Sequence, residues 1–174
     1  LHGNGEDISI FGKALPLLEK HFRVYRIDSR CHGESTDKVP LHYDLIADDI
    51  YGFIILNRLE KPFVYGFSDG GIAALMLAYT HPEAVGAIAV SGANTNPKAL
   101  KFLYCFGYGK LARLYPDPKV RMMVSEPNIT KEDLGRITVP ALITAGERDM
   151  IKEEDTRLIA SSIPNSELMI LKGE

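Results

Sequence analysis

A serine lies at the centre of the pattern that could do chemistry in this chain. Ser68 stands between Gly66 and Gly70 in the order G-x-S-x-G. Residues 63–65 before it are apolar and β-prone, and residues 72–79 after it have the length and composition of a helix. Glycine at both flanking positions lets a strand turn sharply into a helix without a side-chain clash. The pattern predicts a strained turn that lifts the Ser68 hydroxyl clear of the sheet as a nucleophile.

The same five residues also fit a simpler interpretation, in which the Ser68 side chain caps the following helix. A serine nucleophile needs two further groups, a base within hydrogen-bond reach and a third group that orients the base. The rest of the chain must therefore decide between the two interpretations.

Composition restricts the classes of protein to consider. At 174 residues, of which 45% are hydrophobic, we expect a single domain over residues 1–174. The net charge is −3 and no basic stripe is visible, which argues against a nucleic-acid partner. The longest apolar runs, residues 51–56 and 72–79, are far too short to span a membrane, so no membrane partner is expected.

Cysteine and histidine usage bears on metal binding and on location. The two cysteines, Cys31 and Cys105, are far apart in sequence and form no disulfide framework, which predicts a cytoplasmic protein. The five histidines show no metal-ligand spacing and have no cysteine neighbours that would complete a zinc site. We therefore expect no metal and no cofactor.

Strands and helices alternate along the chain. The expected helices are 8–20 (broken near Pro16), 43–60, 72–79 and 153–163, and the expected strands are 21–28, 63–65, 87–90, 140–145 and 167–171. Residues 95–138 are irregular, with short helical pieces and a weak capping box from Thr130 to Asp133. This alternation predicts an α/β fold, a mainly parallel sheet with helices on both faces. Ligands of such sheets bind at the carboxyl ends of the strands, where the loop after Leu1, the turn at Ser68 and the loop ending in Asp149 would meet.

Four motifs in this order resemble the α/β-hydrolase fold superfamily. Residues 1–5 resemble its oxyanion loop, and residues 28–35 resemble the loop after the next strand, with Cys31 where a glycine is common. Residues 66–70 match the nucleophile elbow, and residues 146–149 resemble the loop that carries the acid of the catalytic triad. The resemblance implies that residues 95–138 form a short cap inserted into the fold.

The resemblance also implies a role for each site residue. Ser68 would be the nucleophile, and Asp149, unless it is only a surface or helix-capping aspartate, would orient the catalytic histidine. The oxyanion would be held by the backbone N–H of Asp69 and by that of Asn4 or Gly5, of which we favour Asn4. The family order places the histidine after the last strand, so we expect the chain to be a fragment of a longer enzyme, incomplete at both ends. A pseudoenzyme is the alternative.

Residues 66–74 followed by 91–94 resemble the valacyclovir hydrolase-like esterases. In that family the acid after the nucleophile is thought to attract the α-amino group of the substrate, and Asp69 holds the matching position. The alternative is that Asp69 contributes only its backbone N–H.

Aromatic side chains of the cap would form an apolar roof over a substrate of modest size. The alternative is that they only pack the short cap helices onto the core. The residues concerned are Phe102, Tyr104, Phe106, Tyr108 and Tyr115.

These motifs together predict a serine hydrolase that cleaves a carboxylic ester, or a related acyl bond, of a small apolar molecule through an acyl-enzyme on Ser68. Haloalkane dehalogenases and epoxide hydrolases of this fold have aspartate at the apex, so acyl chemistry is favoured here. Thioesterase, lactonase, C–C hydrolase and peptidase activities use the same machinery and stay open, as does a non-catalytic binding protein. A dinucleotide site is disfavoured, because Ile8 stands where the third glycine of the fingerprint should be.

Overall fold

A four-stranded parallel sheet forms the centre of the protein, which we describe from a computed structural model over residues 1–115 and 117–174. The strands lie in the sheet in chain order. In this register Val64 pairs with Ile88, and Ala141 pairs with both Ile88 and Ser166. The predicted parallel sheet is confirmed. The strands are β1 (Phe63–Phe67), β2 (Ala87–Ser91), β3 (Ala141–Gly146) and β4 (Ser166–Leu171).

The described residues contain seven α-helices. The helix after β1, α3, is the most deeply buried element, with Ala73, Ala74 and Leu75 fully excluded from solvent. Its alanine-rich sequence lets it pack closely on β1 and β2, with α2 beside it. The helices are α1 (Leu15–Leu18), α2 (Tyr43–Leu56), α3 (Asp69–Thr80), α4 (Phe102–Leu114), α5 (Pro118–Ser125), α6 (Lys131–Gly135) and α7 (Glu153–Ser162).

The two faces of β1 are covered to different degrees. Val64 and Gly66 are buried against the helices. Side chains of a strand alternate between the faces, so Phe63 and Tyr65 lie on the other side, where they are exposed. Rings from the segment before α2 cover that side in part, with Phe11 edge-on to Tyr65 and Phe22 edge-on to Phe63.

The helix predicted over residues 8–20 is wrong in its middle. The structure has a 3-10 helix, Ile8–Phe11, and the single turn of α1. Pro16 is the reason, because it has no N–H and cannot bond back to the preceding turn. The break expected near Pro16 is therefore confirmed.

The strand predicted over residues 21–28 is wrong: residues 21 and 22 lie in a turn and a bend, and residues 23–28 pair with no strand among the described residues. The edge of β1 is instead bonded to Leu1, whose backbone nitrogen donates to Tyr65 O at 2.7 Å and whose O accepts from Phe67 N–H at 3.0 Å. Composition alone predicted this strand, but a strand also needs a neighbouring backbone.

Helix α2 ends at Leu56, four positions before the predicted end at residue 60. Arg58 has a φ of +51°, so the chain leaves the helix there. Arg58 N–H donates to Ile55 O at 3.1 Å, and Leu59 N–H donates to Ile54 O at 3.0 Å. These two bonds form a Schellman motif, which ends a helix by satisfying its last carbonyls.

The cap, residues 95–138, contains a 3-10 helix (Pro97–Ala99), α4, α5 and α6. The capping box between Thr130 and Asp133 is present. The cap is joined to the core at the start of α2, where Glu126 accepts from His42 Nδ1 at 2.5 Å and from Tyr43 N–H at 3.2 Å.

The turn after β1 should not tolerate a side chain at Gly66. A Cβ there would lie 2.1 Å from Gly70 O, a backbone atom that cannot move aside. We expect Gly66→Ala to lower the free energy of unfolding by about 3 kcal/mol in urea denaturation. The control is Gly52→Ala in α2, where a Cβ would contact nothing within 4 Å and should stabilise the helix by about 0.5–1 kcal/mol. Similar values for both variants would contradict this prediction.

The contact between the cap and α2 should depend on pH. The hydrogen bond to Glu126 and the negative charge of Glu126 raise the pKa of His42 above its ordinary value. The pair therefore stabilises the fold fully below about pH 6.5 and loses this contribution as the pH rises through the raised folded-state pKa. Both side chains are partly exposed, so the contribution is at most about 1 kcal/mol. Urea unfolding should show a stability difference from His42→Gln that shrinks with rising pH, and a constant difference would contradict the assignment.

Candidate active site

The backbone at Ser68 has the geometry of a strained elbow. Its φ is +52° and its ψ is −117°, a region that residues other than glycine rarely adopt. Ser68 N–H donates to Ser91 O at 2.8 Å, and Ser68 O accepts from Gly71 N–H at 2.8 Å. The Ser68 side chain makes no capping bond to α3, so the alternative of a side-chain cap is not supported. Ser68 is half-buried, and its hydroxyl makes no hydrogen bond to the described residues.

Two glycines hold the elbow in place by close packing. A Cβ on Gly66 would meet Gly70 O, which confirms the clash predicted from the spacing. A Cβ on Gly70 would lie 2.5 Å from Leu1 O, so this glycine makes room for the loop that follows Leu1. The elbow and that loop are therefore in direct backbone contact.

The predicted oxyanion loop, residues 1–5, lies beside Ser68. A Cβ on Gly3 would be 3.1 Å from Ser68 Cβ. Gly3 N–H donates to Glu6 Oε2 at 2.8 Å, while the N–H groups of Asn4 and Gly5 donate to no described residue. Asn4 and Gly5 thus both keep a free N–H near Ser68, and the structure does not choose between them.

His2 anchors the start of this loop. It is buried, and its Nε2 accepts from Ser29 N–H at 3.0 Å. The proton therefore sits on Nδ1, which donates to Gly3 O at 2.8 Å. Both ring nitrogens are used structurally, so His2 is not available as a base.

Asp149 follows β3 and reaches the end of β2. Its Oδ1 accepts from Ile151 N–H at 3.0 Å. A Cβ on Gly92 would lie 3.1 Å from Asp149 Oδ2, so this oxygen lies beside Gly92, the residue that follows Ser91. Because Ser91 O accepts from Ser68 N–H, the loops of Ser68, Asp149 and Gly3 meet at one edge of the sheet, as predicted.

Asp69 lies in a place that sequence reasoning did not anticipate. Its side chain is buried, with the residue only 6% exposed. Oδ1 accepts from the Tyr43 hydroxyl at 2.9 Å, and Oδ2 accepts from Asn4 Nδ2 at 2.8 Å. Burial raises the pKa of Asp69, and these two hydrogen bonds oppose that shift. Both oxygens are already bonded to the protein, so this geometry does not favour a role in attracting a substrate amine.

Tyr43 is a residue of the site that no sequence pattern indicated. It is fully buried at the start of α2, 26 positions before Asp69. Burial and the charge of Asp69 raise the pKa of its hydroxyl, which keeps the proton on the donor. Only the packing of α2 against α3 brings the two side chains together.

The cap aromatics proposed as a substrate roof are solvent-exposed. Phe102 is 81% exposed and Phe106 is 54% exposed, and their rings stack at 6.1 Å. Tyr104 is 41% exposed. No hydrogen bond or ring contact joins these three side chains to Ser68 or Asp149 among the described residues, and their role in substrate binding stays a prediction.

Histidines are the natural candidates for the base. Among the described contacts, no hydrogen bond joins a histidine to Ser68 or Asp149. His32 is buried with an unbonded Nε2, and burial lowers its pKa.

Residues 1–115 and 117–174 contain no cluster of three metal-binding side chains. None of the helices in these ranges combines the length and the apolar character that crossing a membrane requires.

Comparison with known proteins fits the geometry of the elbow. The family model for the alpha/beta hydrolase fold matches residues 1–113, more than half of the chain. The chain belongs to the α/β hydrolase fold family. A hydrolase from Oleispira antarctica has the same fold, with a TM-score of 0.83 and 18% identity over 99% of this chain and 81% of that one.

Two curated relatives match parts of this chain. Ethanol acetyltransferase 2 of Hanseniaspora uvarum is 36% identical over 63 residues, which are 36% of this chain and 18% of the relative. Pimeloyl-(acyl-carrier protein) methyl ester esterase of Yersinia enterocolitica is 31% identical over 93 residues, which are 52% of this chain and 34% of the relative. The matches thus span at most about a third of these relatives. They do not show the resemblance to valacyclovir hydrolase-like esterases, which stays a prediction.

A side chain added at Gly92 should perturb the Asp149 carboxylate. Gly92 has a φ of +65°, so Gly92→Ala is strained by roughly 1–2 kcal/mol and also pushes on Asp149 Oδ2. Gly173→Ala is the control, because Gly173 has a φ of +83° but a Cβ there would contact nothing within 4 Å. Both variants should lower the free energy of unfolding, and only Gly92→Ala should shift the carboxyl carbon resonance of Asp149 in NMR spectra. An unchanged resonance would place Asp149 elsewhere.

Proposed function

We propose that this α/β hydrolase is a serine esterase, which cleaves a carboxylic ester or related acyl bond of a small apolar substrate through an acyl-enzyme on Ser68. The observation that carries the proposal is the geometry of Ser68. Its backbone is held at a φ of +52° and its hydroxyl bonds to no described residue. A fold maintains such strain only where the surroundings enforce it, and strained residues cluster at active sites.

In the acylation step, Ser68 Oγ attacks the carbonyl carbon and transfers its proton to the base. The carbonyl oxygen becomes an oxyanion, which the N–H groups of Asp69 and Asn4 would stabilise. The tetrahedral intermediate then collapses, and the leaving alcohol departs with the proton from the base. Water repeats the sequence on acyl-Ser68, which releases the acid and restores the serine.

The proposal requires a histidine that hydrogen-bonds to Ser68 and Asp149 at the same time. By the order of the family, that histidine follows β4. Oδ2 is the oxygen of Asp149 that would orient it, because Oδ1 already accepts from Ile151 N–H. The acid would keep the correct tautomer and stabilise the imidazolium.

Acyl transfer to an alcohol is the second candidate function. The observation that favours it is the match to an ethanol acetyltransferase. The acyl-enzyme on Ser68 would be the same, and an alcohol would attack it in place of water, forming a new ester. Thioester, lactone, C–C bond and peptide cleavage also use such an intermediate, and a binding protein on this fold would form none.

A cytoplasmic location and the absence of a cofactor are parts of the same proposal. Cys31 and Cys105 are both free thiols, which fits a reducing compartment. The steps above need only side chains and backbone groups of the protein.

Labelling with a fluorophosphonate probe tests the proposal. The full-length natural protein should gain one adduct by intact mass, and peptide mapping should place it on Ser68. Ser68→Ala should abolish the adduct and lower ester turnover by roughly 10⁴- to 10⁶-fold. Ser161→Ala, an exposed serine of α7, is the control and should label normally. An unlabelled wild-type protein would favour the binding-protein interpretation.

The same preparation separates hydrolysis from transfer. Turnover of a simple ester in the presence of increasing ethanol should yield free acid if the protein is an esterase. Formation of an ethyl ester in place of the acid would identify the transferase.

A further inference from the structure

We propose that Asp69 is a positioning residue. Its carboxylate accepts a hydrogen bond from the Asn4 side chain and so fixes the oxyanion loop beside Ser68. This inference rests on the proposed function and goes beyond it, because the proposed mechanism uses only the backbone N–H of Asp69. It gives a structural role to the Asp69 carboxylate, to Asn4 Nδ2 and to the Tyr43 hydroxyl. These three groups are the Asp69 cluster.

The Asp69 cluster is fully hydrogen-bonded. Each carboxylate oxygen has its own donor, Tyr43 OH for Oδ1 at 2.9 Å and Asn4 Nδ2 for Oδ2 at 2.8 Å. Asp69 is also the first residue of α3, where the helix dipole favours a negative charge. A buried carboxylate with two donors is a strong and directional anchor.

Asn4 joins this anchor to the oxyanion loop. Its Nδ2 donates to Asp69 Oδ2 and also, at 3.3 Å, to Lys119 O at the start of α5. The next residue, Gly5, is exposed, has a φ of +70° and has no neighbour that a Cβ would touch. The side chain of Asn4 is therefore the contact that holds this half of the loop, and with it the N–H groups of Asn4 and Gly5.

Tyr43 fixes the carboxylate from the other side. It is buried at the start of α2, and its N–H donates to Glu126 at the end of α5. The Asp69 cluster thus connects four segments, namely the oxyanion loop, α2, α3 and the cap. A change at any member should reach the oxyanion loop without touching the substrate.

Two other roles for Asp69 predict different results. If only its backbone N–H matters, replacing the side chain leaves catalysis unchanged. If the carboxylate binds a substrate amine, the replacement raises KM for amino-acid esters and spares other esters. A positioning role lowers kcat for both kinds of ester, because the donors to the transition state are misplaced while ground-state binding is kept.

The test measures kcat and KM of the full-length protein with an amino-acid ester and a neutral ester. Asp69→Asn and Asn4→Ala should each lower kcat by about 10- to 100-fold on both substrates, with KM changed less than about threefold. The double variant should be about as slow as the slower single variant, because both changes break one contact. Tyr43→Phe, which removes a single hydroxyl, should lower kcat in the same direction even if Asp69→Asn folds poorly.

Asp37→Asn and Tyr25→Phe are matched controls on the surface and should leave kcat and KM unchanged. Amide hydrogen exchange gives a second readout that does not depend on activity. The Gly3 N–H donates to the Glu6 side chain and the Glu6 N–H donates to Gly3 O, which ties the oxyanion loop to the residue that follows it. Exchange of these two amides should become faster in Asp69→Asn and Asn4→Ala.

Unchanged kcat, a loss confined to KM for the amino-acid ester, or additive effects in the double variant would each overturn the inference. A wild-type protein that neither labels nor turns over ester would sink the proposed function instead. In that case the exchange rates still decide whether the Asp69 cluster holds the loop.

Discussion

The backbone contact between Gly66 and Gly70 is the constraint on which the candidate site depends. A β-carbon at Gly66 would overlap the carbonyl of Gly70, so β1 and α3 meet as bare backbone. This contact forces the chain to reverse within one residue and leaves Ser68 in the left-handed region. The strain, on the order of 1–3 kcal/mol, is held by the bond from Ser68 N–H to Ser91 O and by the deep burial of α3.

Electrostatics add a second constraint at the same turn. The Asp69 carboxylate is buried, which costs free energy, and two hydrogen-bond donors offset that cost. The donors come from segments far apart in sequence, so their geometry is set only when the whole edge of the sheet is assembled. The nucleophile and the groups that surround it are in this way parts of one packed unit rather than separate loops.

Local sequence predicted those parts of the fold whose causes are local. The strand and helix around Ser68, the break near Pro16 and the capping box at Thr130 follow from neighbouring residues, and the structure confirms them. Residues 21–28 have the composition of a strand, but pairing depends on which backbone lies alongside β1, which composition does not record. The positive φ of Cys31 agrees with the resemblance, since a position that favours glycine is one that adopts left-handed backbone. The hydrogen-bond partners of Asp69 could not be predicted from the sequence, because the contact with Tyr43 exists only through the packing of α2 on α3.

The order of the strands has a consequence for how the molecule is made. The four strands of the described residues stand in the sheet in their order along the chain, so β2, β3 and β4 can each add to the strand that precedes it. The bond that holds the elbow needs nothing beyond Ser91, whereas Asp149 arrives with the loop after β3. A chain leaving the ribosome can therefore form its strained serine turn well before the acid that would activate it has been translated.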